Sequence, residues 1–268
     1  VKNNRSPIGV FDSGVGGLTV LRALMRRLPH ERFVYVGDTA RVPYGTKSPE
    51  AVKRFSLEIA RFLKKRRVKA VVVACNTVSA VALPELRRFL PVPVMGVLEP
   101  GATAAARATR TGRVGVIGTS ATVRSRAYER EIRRLNPALR VFSRPCPLFV
   151  PLVEEGWLTH PVTRRVAQLY LSPILAKRVD ALVLGCTHYP LLKTVLKSVA
   201  RNVSLIDSAE ETAKSVKRVL ERKDLLARSG RGSGVFFSSD DPDKFMALGH
   251  RFLGGKLRRV RRIHLDGV

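Results

Sequence analysis

The sequence predicts an α/β fold made of two similar parallel-sheet domains, with an active site in the cleft between them. Three observations carry this reading. Strand-length apolar runs alternate with amphipathic helical stretches almost throughout, the pattern of a parallel sheet. The opening motif Ile8-Gly9-Val10-Phe11-Asp12-Ser13 returns as Val114-Gly115-Val116-Ile117-Gly118-Thr119-Ser120. Finally, one strand in each half ends in cysteine, at Cys75 and Cys186.

Taken in order, the expected strands are Ile8–Phe11, Phe33–Gly37, Ala70–Ala74, Val92–Val97, Val114–Ile117, Ala181–Leu184, Val203–Ile206 and Val235–Phe237. Leu18, Leu21, Leu24, Met25 and Leu28 carry the spacing of one buried helix stripe, and Val52, Phe55, Ile59, Phe62 and Leu63 repeat it. A long helix is expected over Glu210–Leu226. A Gly/Ser linker, Ser229–Gly234, then precedes a last strand and helix. That strand needs a sheet to join, so the tail is expected to pack back on the first half. The expected domains are residues 1–98 plus 208–268, and residues 99–207.

Composition sets further bounds. The chain has 268 residues, enough for a proper core, and 45% hydrophobic content, ordinary for a globular protein. No apolar run is long enough to span a bilayer. The start, Val1 to Ser6, is short and polar, with no signal-peptide core after it. The three cysteines lack the close pairing of a disulfide scaffold. These features predict a cytoplasmic protein with reduced thiols.

The net charge of +28, from 49 Lys+Arg against 21 Asp+Glu, is the oddest bulk property. Basic clusters include Lys64-Lys65-Arg66-Arg67 and the tail from Lys256 to Arg262. Non-specific nucleic-acid contact through phosphate neutralisation is one reading. Solvated helix faces are the simpler one, because no zinc finger, RNA-recognition signature or aromatic-interleaved stripe accompanies the charge.

Open α/β sheets bind ligands beyond the carboxyl ends of their strands. Both Cys75, followed by Asn76-Thr77, and Cys186, followed by Thr187-His188-Tyr189, stand at such ends. Two equivalent acid/base groups approaching from opposite sides suit one task, moving a proton between the faces of a carbon. A free thiol has a pKa of about 8.5, so a nearby base or cation must supply thiolate at neutral pH. His188, Asp12 and Asp38 are candidates for that help. The loop Asp12-Ser13-Gly14-Val15-Gly16-Gly17 allows close backbone approach to an anionic group. It lacks the last glycine of a dinucleotide fingerprint, and no Walker-type loop is present. A zinc site of Cys75, Cys186 and His188 is an alternative that no Cys-x-x-Cys or His-x-x-x-His pattern supports. Cys146, within Arg144-Pro145-Cys146-Pro147, reads as structural.

With these residues in view, the chain resembles the cofactor-independent aspartate/glutamate racemase superfamily, and within it the glutamate racemases. The matching segments are Val10–Leu18, Asp38–Gly45, Ala74–Thr77, Gly118-Thr119 and Leu184–Pro190. The resemblance implies that Cys75 takes the α-proton from D-glutamate and Cys186 from L-glutamate. It implies substrate contacts from Asp12, Ser13, Tyr44, Gly45, Asn76, Thr77, Thr119, Thr187 and His188. Asp12, Asp38, Glu154 and His188 match positions that assist the thiols. No cofactor and no metal are implied, and no lysine motif for a Schiff base is apparent. The family supplies D-glutamate for peptidoglycan in the cytoplasm and often forms homodimers of varied geometry. Aspartate racemisation and a nucleic-acid-binding role remain the alternative readings.

Overall fold

In the computed structural model, all ten strands among the described residues run parallel within two sheets, so each sheet presents all its carboxyl ends on one edge. The structure describes residues 4–255, 257 and 259–265. Lys256 and Arg258 of the basic tail, and the outermost residues of the expected 1–98 plus 208–268 domain, lie outside the described residues.

The first sheet takes β1 (Ile8–Asp12), β2 (Arg32–Gly37), β3 (Ala70–Val73) and β4 (Val94–Gly96). The second is built from β5 (Arg113–Gly118), β6 (Arg140–Pro145), β7 (Ala181–Gly185) and β8 (Ser204–Asp207). β9 (Ser233–Ser238) and β10 (Val260–Arg262) return to the first sheet, β9 pairing with β2. The strand orders are β10-β9-β2-β1-β3-β4 and β6-β5-β7-β8. The run β2-β1-β3-β4 therefore repeats as β6-β5-β7-β8. The motif seen twice in the sequence forms the equivalent strands β1 and β5, and the cysteines follow the equivalent strands β3 and β7.

Helices cover the first sheet on both faces. α1 (Leu18–Arg27) lies on one side, and α2 (Pro49–Lys65), α3 (Asn76–Val81) and α4 (Leu83–Phe89) on the other. α2 forms where the sequence marks a start and a stop. Ser48 accepts from the N–H of Ala51, Pro49 stands in the first turn, and Lys64 and Lys65 occupy the last turn. α5 (Leu98–Ala108) carries the chain into the second half, where α6 (Ser120–Arg124) and α7 (Ala127–Leu135) follow. α8 (Phe149–Glu154), α9 (Pro161–Leu175) and α10 (Lys193–Val199) complete that half. α11 (Ser208–Arg222), capped by Asp207, packs on both α1 and α5, and α12 (Pro242–Leu253) packs on α1.

One buried apolar cluster runs through both halves, joining Leu18, Leu21 and Leu24 of α1 to Val216 and Leu220 of α11 and to Leu184 and Leu196 of the second half. The halves thus share a core, and the opposed strand ends are held at a fixed approach. Among the described residues, no helix is long and apolar enough to cross a membrane.

Candidate active site

The loop after β1 is shaped by what lies behind it. Asp12 is buried, and its Oδ2 accepts from the N–H of Gly14 at 3.0 Å, while Tyr35 donates its hydroxyl to the Gly14 carbonyl at 2.9 Å. A Cβ on Gly17 would stand 2.5 Å from Asp12 Cβ and 2.7 Å from the Tyr35 oxygen; one on Gly16 would strike Thr187 and the His188 ring. Only glycine fits at these close approaches. This loop of the first half therefore lies directly against the second half's cysteine loop, and Thr19 donates its hydroxyl across to the Thr187 carbonyl at 3.1 Å.

Cys75 and Cys186 are each 6% exposed. The Cys75 thiol donates to Ser13 Oγ at 3.7 Å. Burial pushes this thiol up to about 12; the Asp12 charge adds to the rise, the Val78 N–H and Ser13 oppose it, and Cys186 lies close enough to contribute. Cys186 has a different companion. Its Sγ lies 3.9 Å from His188 Nδ1, and His188 Nε2 lies 2.9 Å from Glu154 Oε1. Burial works against charge on His188, but the bonds to Cys186 and Glu154 outweigh it and lift the imidazole to about 10. The two cysteine positions are thus equivalent in fold and different in company, a hydroxyl beside Cys75 and an imidazole beside Cys186. Glu154 is 32% exposed and lines a cavity of about 80 Å³ with Gly14, Val15 and Lys244.

Two buried polar atoms in this region have no hydrogen-bond partner among the described residues: Asp12 Oδ1, an acceptor, and Asn76 Nδ2, a donor. Orphaned polar groups are expensive when buried, so such a pair calls for a polar occupant. Burial raises the Asp12 carboxyl above its usual range, against the pull of His188 and of the loop N–H groups. Asn76 is oriented from the opposite half: the Tyr128 hydroxyl on α7 donates to its Oδ1 at 2.6 Å, which leaves Nδ2 free. Thr77 meets Thr119 at 2.9 Å and Thr122 at 3.2 Å, a second link between the halves. Gly45 lies against Thr119, where a Cβ would approach Thr119 Cβ to 2.7 Å.

Of the residues expected from sequence, Asp12, Ser13, Cys75, Asn76, Thr77, Thr119, Cys186, Thr187, His188 and Glu154 gather around the junction of the two strand-end edges. Tyr44 and Asp38 stand at its flank. Asp38 is fully engaged elsewhere: Oδ2 accepts from Arg41 at 2.7 Å and from Tyr44, and Oδ1 accepts from Ser239 at 2.7 Å. Its contact is with the loop carrying Tyr44 and Gly45, and Arg41 continues the network to Glu58. Cys146 is buried, donating to the Arg144 carbonyl at 3.7 Å while its own carbonyl accepts from Tyr189 at 2.8 Å. Among the described residues, no group of three His, Cys, Asp or Glu side chains has the spacing of a metal site. Tyr35, Tyr128, Thr122 and Ser239 were not foreseen. Each resembles an ordinary core or loop residue in sequence, and only the partner across the fold gives it a task.

The family model for Asp/Glu/hydantoin racemases matches residues 8–216. A glutamate racemase from Geobacter metallireducens is 56% identical over 261 residues, 97% of this chain and 97% of that one. The crystal structure of glutamate racemase from Thermus thermophilus in complex with β-chloro-D-alanine superposes with a TM-score of 0.92 at 52% identity, covering all of both chains. That of Francisella tularensis in complex with D-glutamate gives 0.94 at 39% identity, over 99% of this chain and 100% of that one.

Proposed function

The chain belongs to the Asp/Glu/hydantoin racemase family, and we propose that it interconverts L- and D-glutamate without a cofactor, by proton transfer between two cysteines. The observation that carries this reading is the placement of two buried thiols at equivalent strand ends of a repeated sheet, on one shared site.

This difference in company supports a direction for each step. With His188 protonated, Cys186 is the base and Cys75, holding its proton against Ser13, is the acid. Cys186 then takes the α-proton of L-glutamate while Cys75 donates to the opposite face, giving D-glutamate; the reverse reaction exchanges the roles. The transient carbanion is stabilised by donors already in place, Asn76 Nδ2 foremost. Asn76 Nδ2 suits the substrate carboxylate and Asp12 Oδ1 its ammonium group, so the two orphaned atoms match the two charged ends of an amino acid. Ser13, Thr77, Thr119, Thr187, Tyr44 and Gly45 complete the binding surface, and Glu154 holds His188. Asp38 acts through Tyr44.

The same reading takes residues 1–98 plus 208–268 and 99–207 as two domains, in line with the membership of the two sheets. It makes the enzyme a cytoplasmic source of D-glutamate for peptidoglycan. A homodimer would use the exposed apolar residues Leu148, Trp157, Val162 and Leu169 of the second half, which sedimentation velocity tests.

Circular dichroism of L- and of D-glutamate incubated with purified protein and no added cofactor tests the activity. Both signals should decay to zero. Faster racemisation of aspartate would overturn the substrate assignment. Cys75→Ala and Cys186→Ala should each lose turnover by at least about 1,000-fold with the far-ultraviolet spectrum unchanged. Near-normal turnover in either would end the two-base scheme.

A further inference from the structure

With 49 Lys+Arg against 21 Asp+Glu, only part of this chain's surface charge is answered locally. On α7, Arg126, Arg133 and Arg134 pair with Glu129 and Glu131; on α11, Lys214 and Lys217 pair with Glu211 and Glu221. The outer face of α2 is different. Lys53 reaches Glu85, but Arg54, Arg61, Lys64, Lys65, Arg66 and Arg67, all exposed, make no ion pair among the described residues.

Four of these six cations are also held over aromatic rings. Every cation–π contact among the described residues lies in this region. Arg54 sits 5.1 Å from the Phe55 ring, Arg61 and Lys64 sit 5.8 Å and 5.1 Å from Phe89, and Arg66 lies 4.8 Å from both Phe62 and Phe237. Arg41 adds a sixth, over Phe55. On β10, Arg261 is in register with Phe237 and so projects on the same side as Arg66. Fixing long side chains on aromatic rings lowers the entropy lost when they bind something.

We propose that this face binds the phosphate backbone of duplex nucleic acid, independently of base sequence. Positions 54, 61 and 65 share one face of α2 and span roughly 16 Å of helix axis. One strand of a B-form duplex presents about five phosphates over that length. Arginine dominates the row, and its planar fork matches phosphate oxygens. Phe55, Phe62 and Phe237 beneath are buried and Phe89 is half-buried under Arg61 and Lys64, so the rings offer little face on which a base could stack. An anionic bilayer is a poorer match, because membrane-surface elements also insert large apolar side chains. Among the described residues, the first half exposes just Val42 and Val235 as large apolar side chains, whereas Leu148, Trp157, Val162 and Leu169 belong to the other half. The Lys64–Arg67 end sits by the amino ends of the strands, where the N–H of Lys69 donates to the Pro7 carbonyl. The catalytic edge therefore stays open to substrate when the patch is occupied.

Fluorescence anisotropy of a labelled 30-base-pair DNA duplex, titrated with the full chain at several KCl concentrations, tests the assignment. Binding is expected at 50 mM KCl, weakening about 500-fold by 200 mM if five phosphates are neutralised. The triple variant R61Q/K64Q/R66Q should lower the magnitude of the log–log salt slope by about 2.7. The charge-matched variant R130Q/R133Q/R134Q on α7 should leave the slope nearly unchanged, and both should racemise normally. The assignment is overturned by absence of binding at 50 mM KCl or by equal weakening in the two variants. It is also overturned if phosphatidylserine vesicles are bound where the duplex is not.

Discussion

At the scale of single residues, the distinction between the two sulfurs rests on His188 and Glu154. If Glu154 keeps His188 charged, Glu154→Gln should let the imidazole fall from about 10 towards its ordinary value. The alkaline limb of kcat/KM for L-glutamate should then move to lower pH, with a loss of about tenfold at pH 8. A limb that stays put would separate Glu154 from the chemistry. Tyr128 makes a different kind of contribution, because it touches Asn76 and leaves the amide nitrogen pointing free. Tyr128→Phe should lower kcat/KM by about tenfold, the worth of one hydrogen bond to a buried polar group, mostly through kcat. Neither companion was legible in advance with equal clarity. Glu154 was found through resemblance, whereas Tyr128 sits among the apolar residues of α7 and has no mark in the chain.

At the scale of elements, legibility followed burial. The eight strands expected from apolar runs all exist, with ends shifted by a residue or two. The missed ones are β6 and β10. β6 is an edge strand whose residues are half-exposed and include Arg140 and Arg144, so no apolar run announces it. β10 is three residues long and lies inside a basic stretch. The Gly/Ser linker proved shorter than expected, since Ser233 and Gly234 already pair with β2. What ties that returning segment down is a buried ion pair. Lys69 Nζ meets Glu31 Oε2 at 2.6 Å and donates to the carbonyls of Asn4 and Leu225, and Glu31 Oε1 accepts from the N–H of Ala227. Removing one partner strands the other charge. Lys69→Ala should cost about 3–5 kcal/mol in urea unfolding, far more than Lys65→Ala on the surface.

At the scale of the whole molecule, the repeat was readable because β1 and β5 share a motif, while the shared core beneath them was not. The long-range contacts of α11 with both α1 and α5 are set by topology, which amphipathic spacing alone does not encode. The proton balance of the fold makes a further prediction. His188, raised from 6.5 to about 10, contributes stability fully below pH 6.5 and loses it as pH rises through 10. Cys75, raised from 9.0 to about 12, contributes fully below pH 9 and loses it on the way to 12. Urea midpoints should therefore decline from near pH 6.5 upward, and His188→Asn should flatten the decline up to pH 10.

The seal around the sulfurs has one more consequence. Thr77 with Thr119, Tyr128 with Asn76, and Thr19 with Thr187 stitch the two edges together around them. On the proposed two-base scheme, each turnover would leave the pair of sulfurs, both buried, with their hydrogens exchanged. Through His188, Glu154 offers the Cys186 side a relay to the outside, and the Cys75 side has only Ser13. Heavy hydrogen supplied as solvent should thus load one sulfur sooner than the other, and restoring the starting form becomes the slow passage whenever glutamate is abundant.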